Sequence, residues 1–174
     1  MRRIFIFGSS GSGKTTLAKQ LGKLLSLQVH HCDRIRQIEN WDWKPLSEIH
    51  ALVSEIINGD KWILEGYPTA EMIPACLARA DVIIFTDLNR FLCMYRVLKR
   101  SFRYHGKVRE DVGDGCKEGF PPLGLCRVIW RFRREWRQRC IGWLFACNKP
   151  VHHLKSRRQV QRFINKINSA YHTI

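Results

Sequence analysis

Apolar and polar positions along this chain follow two alternating rhythms. Arg3–Phe7 is a short β-branched and aromatic run, as expected of a buried strand. Lys14–Leu25 then places apolar residues at 17, 18, 21, 24 and 25, a stripe with helical spacing. Leu27–His31 reads as a second strand. Ser47–Asn58 predicts a helix, with Ser47 as N-cap and Ile49, Leu52, Val53, Ile56 and Ile57 on one face. Gly59-Asp60 turns the chain into a third strand, Trp62–Glu65. Asp81–Thr86 is the fourth, and Asn89–Arg103 reads as another helix. Leu123–Phe145 predicts one long helix, Pro150–Leu154 a last short strand, and Ser156–Ile167 a closing helix. Strands alternating with helices predict an α/β fold, a parallel sheet covered on both faces. The rhythm lapses over 104–121, where Gly106, Gly113, Gly115 and Gly119 precede Pro121-Pro122. That stretch reads as a mobile loop or lid inserted in a single domain spanning 1–174.

Composition narrows the class. The chain has 174 residues, 45% of them hydrophobic, enough to bury a core and too many for a disordered chain. No stretch approaches the roughly 18 consecutive apolar residues of a membrane span. The apolar run after Met1 is too short for a signal peptide. Seven scattered cysteines without a C-x-x-C pair read as reduced thiols in a cytoplasm, not as a zinc or disulfide framework.

The formal net charge is +15, and it is unevenly spread. Ten basic and ten acidic side chains balance through Leu88; twenty basic and five acidic follow from Asn89. The second half therefore calls for a polyanion, whether nucleotide, nucleic acid or acidic membrane surface.

Gly8-Ser9-Ser10-Gly11-Ser12-Gly13-Lys14-Thr15 fits G-x-x-x-x-G-K-[ST] in full, between a strand ending at Phe7 and a helix starting at Lys14. Small residues let successive backbone N–H groups curl around a phosphate. Lys14 is placed to reach the β- and γ-phosphates and Thr15 to ligate Mg²⁺. The helix start at Lys14, Thr15 and Thr16 offers its positive end. ATP with Mg²⁺ is the expected cofactor.

With this loop the chain resembles the small P-loop kinases related to adenylate, shikimate and gluconate kinases. Trp62-Ile63-Leu64-Glu65-Gly66-Tyr67-Pro68 resembles the D-G-F-P stretch after their third strand, and Asp81–Arg100 their fourth strand and the helix with lid arginines. The chain is more similar still to the bacterial group called DNA topology modulation proteins. The shared features are His31-Cys32-Asp33, the Trp41/Trp43 region, Trp62–Tyr67, Arg96-Val97-Leu98-Lys99-Arg100, the glycine-rich lid, Trp130 and Leu154-Lys155-Ser156-Arg157-Arg158. The resemblance implies a sheet in the order 2-3-1-4-5, and a kinase moving the ATP γ-phosphoryl group to a nucleoside, nucleotide or similar small acceptor. It also implies that Ser156 and Arg157 border the adenine.

Phosphoryl transfer needs a metal site, a group orienting the acceptor and cations over the phosphates. Asp33 and Glu65 follow the second and third strands, at the carboxyl edge where ligands bind. Asp33 resembles the acid holding an acceptor hydroxyl, with capping of a helix before Ile35 the lesser alternative. Glu65 replaces the shorter adenylate kinase Asp and reads either as the metal-side acid or as a general base. Asp87 reads as a helix cap. Arg96, Arg100 and Arg103 recur at i, i+4 and i+7 on one helical face toward the lid, with Lys107 and Arg109 able to join them. Arg34, Arg36, Trp41, Trp43 and Tyr67 are the acceptor-site candidates, with packing of an inserted helix the alternative for the tryptophans.

A second reading comes from Arg127–Arg139, where six of thirteen residues are arginine. Ile129, Phe132, Trp136, Cys140 and Trp143 form the expected buried stripe, and the arginines cover the other faces. Such a surface suits DNA or RNA phosphates without sequence reading. The alternative function is thus an ATP-binding protein whose main role is nucleic-acid binding. No membrane partner is indicated, and the sequence leaves oligomeric state open.

Overall fold

The computed structural model describes residues 1–172; the last two residues of the 1–174 span lie outside the described residues. Strands β1 (Arg3–Gly8), β2 (Val29–His31), β3 (Trp62–Glu65), β4 (Val82–Thr86) and β5 (Val151–Leu154) form one parallel sheet in the order β2-β3-β1-β4-β5. The α/β architecture and strand order agree with expectation. Helices α1 (Lys14–Leu25), α2 (Cys32–Arg36), α3 (Leu46–Asn58), α4 (Ile73–Arg79), α5 (Arg90–Arg103), α6 (Leu123–Arg131), α7 (Arg137–Phe145) and α8 (Arg157–His172) complete the chain.

The central strand β1 reads as a continuous apolar run because both of its faces are covered. On one face Phe5, Phe7, Leu64, Ile83 and Phe85 pack with residues of α3 and α4 and with Cys140 of α7. On the other, Ile4, Ile6, Ile63 and Ile84 meet α1 and α8. Each such fully buried side chain contributes roughly 1.5–3 kcal/mol, which makes this sheet a rigid platform. Its register sets Glu65 beside both Ile6 and His31, and Gly8 beside Thr86. The ends of all five strands thus converge on the loop that follows β1.

Several local expectations are corrected. Helix α3 begins at Leu46 after Pro45, and Ser47 makes no cap. Asn89, not Asp87, caps α5 by accepting from Phe91 N–H; Asp87 instead binds Arg137 (2.9 Å) and His153 (3.0 Å), tying β4 to α7 and β5. The long helix after the prolines is interrupted by a π turn over Phe132–Trp136. Helix α4 is a single short element, with Pro74 in its first turn, that no apolar stripe in the sequence announces. Residues 104–122 contain neither helix nor strand, yet they are tied to the link between α2 and α3. Trp41 Nε1 donates to Lys117 O (2.9 Å) and Cys116 Sγ to Ile38 O (2.8 Å). Gly113 packs so tightly there that a Cβ would lie 2.3 Å from Gln37 O.

Candidate active site

The loop Gly8–Thr15 is built by glycines where side chains cannot go. Gly8 has φ +141°, and a Cβ there would sit 2.2 Å from Thr86 O; Gly11 has φ +72°, and its Cβ would meet Cys93 O at 2.4 Å. Left-handed backbone at these points turns the loop without steric cost. Ser12 Oγ donates to Ser9 O (2.7 Å) and lies 2.6 Å from Thr86 Oγ1, so β4 braces the curve. Lys14 Nζ donates to Ser9 O (3.0 Å), folded over the concavity that its own loop encloses. Ser10 and Thr16 line the same space, while Ser9 is buried beneath it.

Glu65, 5% exposed, accepts from Thr15 Oγ1 (2.9 Å) through Oε1, and His31 Nδ1 lies 2.8 Å from that same oxygen. Glu65 and the loop hydroxyl of Thr15 are thereby adjacent. Among the described residues, no group of three His, Cys, Asp or Glu is arranged to hold a metal. The donors present, a hydroxyl and a carboxylate beside a phosphate loop, match the preference of Mg²⁺ for few protein oxygens plus substrate phosphates.

One cleft of about 1260 Å³ runs from this loop to α2 and the neighbouring segments. Arg96, which donates to Gly11 O (3.3 Å), Arg100 and Arg109 line it. Arg103 does not: it is exposed, with its guanidinium 5.8 Å from the Tyr104 ring centroid. Arg103 is the last residue of α5, and its side chain turns to the Tyr104 ring instead of following Arg96 and Arg100. Lys107 is exposed too.

Burial, and next the nearby Arg157, lower the Arg96 pKa; burial, and next Arg109, lower that of Arg100. Cations crowded in this way favour an anion between them. Glu118, 3% exposed, is the counter-charge, 2.9 Å from Arg109 Nε and 3.5 Å from Arg100 Nε, and it accepts from Ser101 Oγ (3.3 Å). Sequence reasoning missed this residue. Its signal is that it is one of only five acids in a strongly basic half.

At the far end Asp33 accepts from Arg36 Nη2 (2.6 Å), and the Arg36 guanidinium lies 4.6 Å from the Trp43 ring centroid. Tyr67 meets Trp136 edge-on (5.4 Å), and Trp41, Trp43, Gln37 and Phe132 line the same end. Phe132 and Trp136, expected only as core, reach the cleft from the π turn, a feature frequent at functional sites. Arg34 points away, donating to Glu110 O (3.4 Å) and lying 3.8 Å from Asp114. Ser156 caps α8 by accepting from Gln159 N–H (3.2 Å), and Arg157 lines the cleft beside Val160, Gln161 and Ile164.

No family model and no curated protein matches this chain. Solved structures do. A shikimate kinase from Acinetobacter baumannii in complex with shikimate superposes with TM-score 0.62 and 14% identity, covering 99% of this chain and 94% of that one. A shikimate kinase from Bacteroides thetaiotaomicron gives 0.55 and 16%, covering 97% of each. A deoxyadenosine kinase from M. mycoides with bound dATP gives 0.56 and 14%, covering 97% of this chain and 100% of that one. At these identities the likeness is one of fold, that of the P-loop kinases.

Proposed function

We propose that this protein is an ATP-dependent phosphotransferase that moves the γ-phosphoryl group to a hydroxyl of a small acceptor. The observation that carries this reading is the continuity of the cleft. The phosphate loop and the Asp33–Arg36 pair line one space together with Arg96, Arg100 and Arg109. Backbone N–H groups of residues 8–15 and the Lys14 ammonium hold the β- and γ-phosphates. Thr15 and Glu65 would hold Mg²⁺, which when bound offsets phosphate charge. The three arginines stabilise the equatorial oxygens as they pass through the transition state. Asp33 orients the acceptor hydroxyl and takes its proton. Residues 104–121 act as the lid that excludes water, and Arg157 borders the base of ATP. That neighbours of the same fold hold shikimate or dATP supports a nucleotide and a small molecule as ligands. The free state of all seven cysteines suits a reducing cytoplasm.

The test is ADP formation from ATP and Mg²⁺ across nucleosides, nucleoside monophosphates and small hydroxy acids, with Lys14→Ala as control. Acceptor-dependent turnover that the variant loses supports the reading; turnover that no compound stimulates overturns it.

A second reading, nucleic-acid binding, draws on the α6–α7 surface. Arg127, Arg133, Arg134 and Arg139 are exposed there, and Trp130 is 42% exposed nearby. It agrees with the sequence motifs shared with the topology modulation group. ATP hydrolysis stimulated by DNA without any small acceptor would place this role first.

A further inference from the structure

Helix α5 is apolar on two opposite faces, and only one of them is packed. Its buried Cys93 and Val97 cluster with Leu88 and Ile129. Along the other face Phe91, Tyr95, Leu98 and Phe102 recur at steps of four, three and four residues, and all are exposed. Phe102 is 74% exposed, and Phe91 and Tyr95 are 60% exposed. Two further exposed rings extend the stripe. Trp130 of α6 meets Phe91 edge-on at 6.4 Å, and Phe120 meets Phe102 in the same way at 5.9 Å. Single exposed apolar residues are ordinary, whereas an ordered stripe of six marks a contact surface. None of the six lines the cleft.

The charge around the stripe selects its occupant. No Asp or Glu occurs from Leu88 to Arg109 or from Gly119 to Arg134. Lys99 lies one turn from both Tyr95 and Phe102, Arg103 follows Phe102, and Arg127 precedes Trp130 by one turn; all three cations are exposed. Arg90 lies over the Trp130 ring at 4.0 Å and the Phe91 ring at 5.1 Å. A second copy of this chain would bring the same cations against these, with no acid on the face to meet them. The charge therefore calls for an anionic partner. Five of the six side chains are rings and one is aliphatic, which favours stacking over insertion into an acyl layer. Rings set in file beside cations hold successive bases while the cations neutralise phosphates. A duplex keeps its bases paired and stacked on one another, so it offers these rings no open base face. The eleven steps from Phe91 to Phe102 span about 16 Å, room for about three to five nucleotides of one strand.

We propose that the outer face of α5, with Trp130 and Phe120, binds single-stranded nucleic acid by stacking bases on its rings, without reading their sequence. This rests on the second reading above, which gives the arginines of α6 and α7 to phosphates; the rings add the preference for an unpaired strand. Ring faces do not touch the 2′-hydroxyl, so DNA and RNA strands are held alike. Arg96 and Arg100 of the same helix line the cleft, so strand and nucleotide use different faces of one element.

The experiment follows the fluorescence anisotropy of a labelled oligo(dT), an oligo(rU) of the same length and a mixed-sequence duplex with the full chain. Wild type is compared with Tyr95→Leu/Phe102→Leu, which keeps an apolar surface and removes two rings. The variant is expected to melt like wild type and to bind both single strands at least about tenfold more weakly. Its duplex binding and its slope of log affinity against log salt should not change, because stacking releases no counterions. Single-strand affinity that the variant retains overturns the proposal and leaves the arginines of α6 and α7 as a phosphate surface. An equal loss for strand and duplex, or binding of RNA alone, overturns it too. If wild type binds no nucleic acid, the second reading falls with it. Sedimentation, and flotation with phosphatidylserine vesicles, cover the remaining occupants. A dimer or a vesicle complex that the variant loses, without any strand binding, gives the face to a second copy or a membrane and overturns the proposal.

Discussion

Two carboxylates divide the chemistry at the scale of single residues. Glu65 is buried against Thr15 and His31, where it can hold the loop hydroxyl and a metal but is poorly placed to leave its partners. Asp33 has a half-exposed side chain and one oxygen engaged by Arg36, which leaves the other for a ligand. Alanine at either position should lower kcat by about 10²–10⁴-fold, the usual range for a lost acid–base or charge-organising group. The two should differ in kind. Glu65→Ala should become more dependent on Mg²⁺ concentration, and Asp33→Ala should show normal ATP affinity with a lost acceptor response. Steady-state kinetics with Mg²⁺ varied separates them, and turnover within tenfold of wild type removes that residue from the mechanism. Both carboxylates were legible in the sequence because each ends a strand on the ligand-binding edge. Glu118 was not. Its importance comes from a pairing with Arg100 and Arg109 across a loop whose fold no periodicity reports.

Elements were legible wherever a stripe or a buried run set them. Helix α1 has the bounds its stripe predicts, and all five strands lie where apolar runs place them. The misses are local contests between short-range devices: Asn89 rather than Asp87 at the start of α5, and a π turn inside an otherwise regular stripe. The segment after α5 shows the limit best, because its glycines announce a loop but not the surface it grips. Glu118 holds that segment down between two partly or wholly buried arginines. Removing one partner of a buried ion pair costs about 3–5 kcal/mol, and here the cost falls on the segment before the sheet. Glu118→Ala should therefore speed amide exchange over 104–121 by about 10²-fold, with the exchange of β1 and β4 unchanged. Exchange measured by mass spectrometry that stays at wild-type rates would remove the latch.

A different pairing between elements is set by pH. Asp81, at the start of β4, is held below the usual carboxylate range chiefly by the Arg3 side chain, and then by the Arg3 and Arg2 N–H groups. Because the folded pKa lies below the unfolded one, the unfolded chain binds the proton first. The contribution is then complete above the ordinary value of about 3.9 and disappears as pH falls through the lower folded value. Asp81→Asn should melt a few degrees below wild type at neutral pH, and that gap should close on acidification below about pH 4. A gap independent of pH would mean that the staple works by shape rather than charge.

For the whole molecule, the question is how one chain divides a +15 excess that arises entirely after residue 88. The cleft takes Arg96, Arg100, Arg109 and Arg157, and Asp87 takes Arg137. The remaining arginines of α6, the π turn and α7 serve neither purpose. Arg127, Arg133 and Arg134 are exposed, while Arg131 of this stretch is paired with its neighbour Glu135 (2.9 Å). Fixed positive charge on a helix costs solubility nothing but repels itself, and a polyanion laid along it relieves that repulsion while releasing counterions. If this surface takes nucleic acid, changing Arg127, Arg133 and Arg134 together to Ser should flatten the slope of log affinity against log salt. The expected reduction is about 0.7–0.9 for each phosphate that the variant no longer neutralises. The same triple variant should keep its acceptor-dependent ADP formation, because none of the three lines the cleft. A slope that does not change, measured by fluorescence anisotropy on single- and double-stranded DNA, would locate any polyanion binding at the phosphate loop itself. The charge asymmetry of the sequence would then belong to one nucleotide site.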